Sequence, residues 1–373
     1  MEAANQPLHP RGSELMPLQM RSRRSIWLGM AVLLLVACTA TPSTPAPSTS
    51  AIVGSSSTLT PVVPSESSSP RSAIPQSTAF PLVVGYSAVS GAFLPLWLAQ
   101  EAGLFAREGL AVELRYAGST ALASALIAGE VPIGVIGGAE IVTANVGGAD
   151  LIMVAGVSMR PVLALLAPSG YSQPTDLRGK RVGVSRIGSV TYYASVIGLR
   201  RVGLEPDRDV SLVQAGGVPE ILTVMESGGA DAGVVSPPTW FEAERRGYRT
   251  LLDFTTLGFD YPQTVVAVRR SYLAANRAVV AAFLRALVAA HKLQREDSAL
   301  ALRVLRQYTQ MSDENVLQRT YSAYRDSFAD HPVVPVAAIS PLLTLLATET
   351  ATTPVTPDQI IDNSVVEEIK VRS

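Results

Sequence analysis

Two stretches about a hundred residues apart read almost alike. They are ALIAGEVPIGVIGGAE at Ala125–Glu140 and VMESGGADAGVVSPPT at Val224–Thr239. Each reads as a helix end, a glycine turn, a short apolar strand and a loop of small residues. Gly129 aligns with Gly228, and Gly134-Val135-Ile136 with Gly233-Val234-Val235. Working outward, the correspondence continues in order. Val84-Gly85-Tyr86-Ser87 recurs as Val182-Gly183-Val184-Ser185, Gly103-Leu104 as Gly203-Leu204, and Gly118 as Gly217.

The segments between these markers form one unit. LVVGYS (Leu82–Ser87) is a buried strand of the parallel-sheet type. A helix over Leu94–Glu108 sets Leu94, Leu98 and Phe105 on one side. Ala111–Tyr116 alternates apolar and polar as a second strand. Gly118-Ser119-Thr120 opens a helix over Ala121–Ala128, with a hydroxyl available as N-cap, and Val131–Ile136 is the third strand. The order β-α-β-α-β implies a parallel sheet with right-handed crossovers. Written twice, it predicts an α/β protein of two lobes, each a βαβαβ-based, mostly parallel sheet flanked by helices. We place lobe 1 at 81–174 plus 264–373 and lobe 2 at 175–263. Thr264–Arg270 reads as a strand returning to the first lobe, and Asn276 as the cap of an Ala-rich helix. Further helices are expected around Ser298–Tyr308, Asp313–Phe328 and Ala337–Ala347. Pro357 stands at the first position of a last helix that reaches Glu368.

Ahead of the lobes the chain changes character. Arg21, Arg23 and Arg24 precede an apolar run, Ile26–Ala37, which has signal-peptide anatomy and is short for a spanning helix. It ends in Leu35-Val36-Ala37-Cys38, which resembles a bacterial lipobox. Residues 1–38 are therefore expected to be a signal peptide ending in a lipidated Cys38, with the natural start at Met1, Met16 or Met20. Residues 39–80, mostly Ser, Thr and Pro, are expected to be a disordered tether. The expected location is extracytoplasmic, anchored to the cell membrane.

Composition narrows the chemistry. Of 373 residues, 47% are apolar and 16% charged, which suits two buried cores. The net charge of −1 gives no field for nucleic acid. Cys38 is the only cysteine, so no disulfide forms within the chain and no cysteine zinc site exists. The three histidines, His9, His291 and His331, are scattered. No metal, cofactor or catalytic residue is expected, and the protein is expected to be a monomer.

In open α/β sheets ligands sit beyond the carboxyl ends of the strands. Two such lobes facing each other form a cleft that can hinge shut. The candidate ligand-binding residues lie in those loops: Ser87, Ser90, Gly91 and Phe93; Ser119 and Thr120; Gly138 and Glu140; Arg186, Ser189, Thr191 and Tyr192; Ser236 and Trp240. Hydroxyls and free N–H groups at helix starts hold carboxylate, sulfonate, phosphate or neutral polar groups. Each has a plainer reading. Ser119, Thr120 and Ser189 serve equally as N-caps, and Arg186 as a solvated loop cation. Glu140 either receives an amine or cationic ring or favours the helix dipole. Trp240 either stacks on a planar ligand or fills the core.

The segment from Leu82 to about Asp253 resembles the NMT1/THI5-like and SsuA-like substrate-binding proteins of ABC transporters. The resemblance rests on AQEAGLFAREGLAVEL, ALIAGEVPIGVIG, Arg160-Pro161 and the Leu-Arg-Gly-Lys-Arg-Val-Gly-Val run that starts at Leu177. One departure is Val131-Pro132, where the family has a small residue and Asp; Ala230-Asp231 keeps that pattern. The resemblance implies the type II periplasmic-binding-protein fold, uptake of a sulfonate, nitrate, taurine, pyrimidine or riboflavin, and delivery to an ABC permease and its ATPase. It implies a binding protein rather than an enzyme. The alternative is an enzyme on the same fold, a pyrimidine synthase or one of the menaquinone pathway; the cysteine-rich motif of the former is absent.

Overall fold

The computed structural model describes residues 79–329, 331–349 and 355–371. The expected leader, Cys38 and nearly all of the expected tether lie outside the described residues. Among the described residues ten strands form two five-stranded sheets. The first half supplies β1 (Phe80–Tyr86), β2 (Leu110–Tyr116), β3 (Ile133–Ile136), β4 (Leu151–Ser158) and β5 (Ala164–Ala167). The second supplies β6 (Lys180–Val184), β7 (Val210–Gln214), β8 (Ala232–Val235), β9 (Arg249–Asp253) and β10 (Thr264–Arg269). The sheet orders are β2-β1-β3-β10-β4 and β7-β6-β8-β5-β9.

The two orders are the same pattern with one exchange. β10, the last strand in the chain, runs antiparallel between β3 and β4 of the first sheet. β5 leaves the first half and runs antiparallel between β8 and β9 of the second. All other pairs, β1 with β2 and β3 and β6 with β7 and β8, are parallel. The return of Thr264–Arg269 to the first sheet agrees with the sequence reading. The expected lobe boundary at 174 does not, because β5 hydrogen-bonds in the second sheet. The chain crosses between Ser158 and Ala164, and four apolar residues carry no local signal of which sheet they join.

The repeated glycines have a packing reason. In the sheets Gly85 lies beside Gly134, and Gly183 beside Gly233. A Cβ on Gly85 would sit 2.2 Å from Leu122 Cδ1, and one on Gly134 2.7 Å from Leu126 Cδ1. One on Gly233 would sit 2.5 Å from Ile221 Cγ2 and 2.6 Å from Met225 Sδ. Each glycine pair thus lets the covering helix, Ser119–Ala128 or Val218–Glu226, lie close on its sheet. Gly129 and Gly228, at the ends of those helices, both turn left-handed, with φ of 80° and 74°.

Other local expectations shift. The helix expected over Leu94–Glu108 breaks into Leu94–Glu101 and Leu104–Arg107 at Gly103, whose φ is 64°. Asn276 lies within Arg270–Glu296, where its non-helical φ of −130° kinks the helix. That helix is long and apolar enough to cross a membrane, yet half of its apolar stretch is buried. Phe283 stacks on Phe105 with centroids 5.2 Å apart, in the core of the first lobe. The last helix is two, Pro357–Ile360 and Ser364–Val371. Val131-Pro132, the family departure, lies in the turn before β3.

Gly233→Val should lower the unfolding free energy by about 1–3 kcal/mol through overpacking, seen as an earlier urea midpoint at unchanged slope, and Gly134→Val should do likewise. Unchanged midpoints would show that the covering helices do not rest on these glycines.

Candidate functional site

The strand ends of both lobes converge on one cavity. Ser87–Ser90 follows β1, Tyr116 ends β2, Gly137 follows β3, Ser185 follows β6, Gly216-Gly217 follows β7 and Ser236 follows β8; all line it. Gln263 and Thr264, where β10 returns to the first lobe, close the floor with Leu163 from the other crossing. The cavity volume is about 60 Å³, room for about two water molecules at the ~30 Å³ each takes up in the liquid. Four helices start at its wall, Ser119–Ala128, Gly138–Val146, Val190–Arg201 and Val218–Glu226. Their N-terminal dipole ends give it a positive lining without a cationic side chain.

Hydrogen bonds tie the lobes together at the cavity's edge. Ser236 Oγ donates to Ser90 Oγ at 2.9 Å, and Gly91 N–H donates to Pro237 O at 3.1 Å. Ser90 Oγ lies 3.3 Å from Tyr324 Oη, which accepts from Gln263 Nε2 at 3.0 Å; Gln263 Oε1 accepts Val162 N–H at 2.8 Å. On the opposite side Val190 N–H donates to Glu140 Oε1 at 3.4 Å, and Tyr261 Oη donates to Val190 O at 2.7 Å. Behind the wall a hydroxyl knot holds the loop after β6. Ser185 N–H donates to Thr191 Oγ1 at 2.8 Å, and Ser185 Oγ donates to Ser189 Oγ at 2.9 Å.

Seven of the residues singled out from sequence line the cavity: Ser87, Ser90, Phe93, Ser119, Glu140, Thr191 and Ser236. The others stand aside for identifiable reasons. Gly91 is covered by Tyr324 and Thr320, and contributes its N–H to the interlobe bond. Gly138 packs on Pro262, so Gly137 is the glycine at the wall. Thr120 is exposed, one helical step past Ser119. Gly118, not a hydroxyl residue, is the N-cap there. Ser189 is a buried cap that accepts Tyr192 N–H. Tyr192 packs edge-on against Tyr193, and the Arg186 guanidinium lies against Gly118. Trp240 faces away; its Nε1 donates to Glu244 Oε1 and Thr250 Oγ1, and its ring meets Phe241.

Sequence reasoning missed Tyr116, Gly216, Gly217, Gln263 and Thr264 as wall residues. Gly216-Gly217 was findable, because the repeat places Gly217 opposite Gly118. Gln263 and Thr264 were not, because only the exchange of β10 carries them to the cavity.

Two polar atoms of the lining stand out. Glu140 Oε2 and Thr264 Oγ1 are buried without a hydrogen-bond partner. Burial pushes the Glu140 carboxyl up to about 7, although its own and Val190's N–H groups and the Ser119 hydroxyl oppose this. The unfolded chain releases this proton near 4.5, and the folded chain near 7. Between these values the folded state holds the extra proton, so stability falls as pH rises. Wild type should therefore lose about 3 kcal/mol relative to Glu140→Gln across that window. Urea unfolding of both chains from pH 4 to pH 8.5 reads this difference; a pH-independent difference would show that the carboxyl is not desolvated.

A family model described as NMT1/THI5 like matches residues 90–297. No curated protein matches the chain significantly. The alkanesulfonate-binding protein SsuA from Xanthomonas axonopodis pv. citri, bound to MOPS, superposes with a TM-score of 0.65 at 22% identity, covering 76% of this chain and 98% of that one. The aliphatic sulphonate binding protein SsuA from Escherichia coli gives 0.62 at 19% identity, covering 76% and 92%. The nitrate-binding protein NrtA from Synechocystis gives 0.65 at 15% identity, covering 79% and 89%. At such identities the likeness establishes the fold, that of the periplasmic binding proteins. Because the family model takes in more than half of the chain, from the loop after β1 to the end of the long helix Arg270–Glu296, this protein belongs to the NMT1/THI5-like family.

Proposed function

We propose that the protein is an extracytoplasmic, lipid-anchored solute-binding protein that closes its two lobes on a small organic solute and delivers it to an ABC permease. One observation carries the reading: a small cavity is walled by loops from both lobes, which hydrogen-bond to each other at its edge. Hydroxyls and helix starts there hold a polar solute, and opening the interlobe bonds releases it. The sulfonate- and nitrate-binding relatives support a small oxygen-rich solute. The lining has hydroxyls and one carboxyl but neither cysteine nor histidine, which supports binding over covalent chemistry.

The solute is expected to stabilise the folded chain as RT ln(1 + [L]/Kd), about 2.7 kcal/mol at a hundredfold excess over Kd. A melting screen over sulfonates, nitrate, pyrimidines, flavins and amino-acid-like solutes reads it; turnover of a substrate with no stabilising solute would overturn the binding reading. Ser236→Ala, which removes the Ser90 bond, should weaken capture of any solute found by about fivefold to tenfold. For the anchor, wild type should carry a diacylglyceryl group on Cys38 and fractionate with membranes, and Cys38→Ser should lose the group. Absence of the lipid from wild type would sink the anchor.

A further inference from the structure

The two crossings are not the only link between the lobes. Helix Glu314–Arg325 belongs to the first lobe by one stripe of side chains. Leu317, Thr320 and Tyr324 on that stripe are fully buried. Tyr321 Oη donates to Gln294 O at 3.0 Å, and Thr320 and Tyr324 cover Gly91. The next stripe, Val316, Arg319 and Ala323 at helical spacing, serves the other lobe. Val316 is 1% exposed in a cluster otherwise built from the second sheet and its covering helices, Trp240 and Phe241 included. Met311 and Ala323 pack against the cores of both lobes.

Polar groups reinforce that second face. Arg319 Nη2 donates to Glu244 Oε2 at 2.6 Å, and its guanidinium lies 4.0 Å from the centroid of the Phe241 ring. Glu244 is itself fixed within the second lobe. Its Oε1 accepts from Trp240 Nε1 at 3.0 Å and from Thr250 Oγ1 of β9 at 2.7 Å. At the start of the helix Asp313 Oδ1 accepts Val316 N–H, while Oδ2 lies 3.8 Å from Arg245 Nε. Contact with helix Thr239–Arg245 thus extends along the whole of Glu314–Arg325. One end, at Tyr324, meets Gln263 and Val162 beside the crossings. The other, at Asp313, is about 16 Å away along the helix axis. A helix packed into both lobes cannot follow both when they rotate. The buried first-lobe stripe is the more deeply held, so opening must pull the second stripe from Phe241 and Glu244.

We propose that helix Glu314–Arg325 is a latch: it stays with the first lobe, and its contact with Thr239–Arg245 holds the cleft shut. Arg319, which does not line the cavity, then sets how tightly any solute is kept without choosing among solutes. Affinity scales with the share of molecules already in the closed, binding-competent form. The consequence for solutes rests on the solute-binding reading; the consequence for lobe closure does not.

The test places nitroxide labels on either side of the cleft, at Thr120→Cys and Ile187→Cys, in the full chain carrying Cys38→Ser. Pulsed electron spin resonance then reads the short, closed distance against the long, open one. Without solute, wild type should show a closed population, and Arg319→Ala should raise the ratio of open to closed about threefold to tenfold. Arg319→Lys, which keeps the charge facing Glu244 and the helix propensity, should raise it less. The Arg319 side chain is 43% exposed, which spares the core in both variants. An unchanged or smaller ratio in Arg319→Ala would overturn the latch, as would an unlabelled-site wild type that is wholly open. Calorimetry with ethanesulfonate and with nitrate adds the second reading. Both should weaken by the same factor in Arg319→Ala; loss of one alone would make Arg319 a site residue and end the proposal. If no solute of the melting screen binds and the labels still shift, the binding reading falls and the latch stands. If solutes bind and the labels do not shift, the latch falls and solute binding stands.

Discussion

Each sheet of this protein is finished by a strand that the other half of the chain supplies. β5 fills the gap between β8 and β9, and β10 the gap between β3 and β4. A buried strand position cannot stand empty, because the N–H and C=O groups on both sides of it would lose their partners. Neither lobe is therefore complete without both crossings. Two short connections, after Ser158 and after Asp253, hold two rigid sheets with their strand ends towards one another. The cavity, its floor of Leu163, Gln263 and Thr264, and the rotation that would open it all descend from that exchange.

The cavity wall divides into groups already satisfied and groups buried short of a partner. Ser90, Ser236 and Gln263 are spent on one another, on Tyr324 and on the crossing segment at Val162. Ser185, Ser189 and Thr191 bond among themselves and hold the start of Val190–Arg201 in place. These bonds position donors; they leave little freedom for a large solute to rearrange them. Glu140 and Thr264 are different, since each keeps a buried oxygen unpaired on the first-lobe side.

Much of this was legible in the chain. The repeat foretold two like sheets because glycine at Gly85, Gly134, Gly183 and Gly233 answers the same need, a helix lying close on a strand pair. The loops after the strands were the right places to look, and Ser87, Ser90, Ser119, Thr191 and Ser236 do face the cavity. Within each loop the choice was harder. Ser119 and Thr120 are neighbours with similar hydroxyls, yet about 100° of helical rotation turns one inward and the other to solvent. Trp240 was an attractive stacking platform by position, but Glu244 and Thr250 draw its indole N–H the other way.

The sequence by itself determined what is local or periodic: strands, covering helices, the left-handed glycine turns at Gly129 and Gly228, and the doubling of the unit. These follow from side-chain size, period and backbone freedom, which neighbouring residues suffice to set. Only the tertiary structure decided that β5 belongs to the second sheet, that Gln263 and Thr264 reach the cavity, and that Glu140 is desolvated beneath Val190. Strand partnership and burial are set by groups a hundred residues away, whose hydrogen bonds and packing compete in three dimensions.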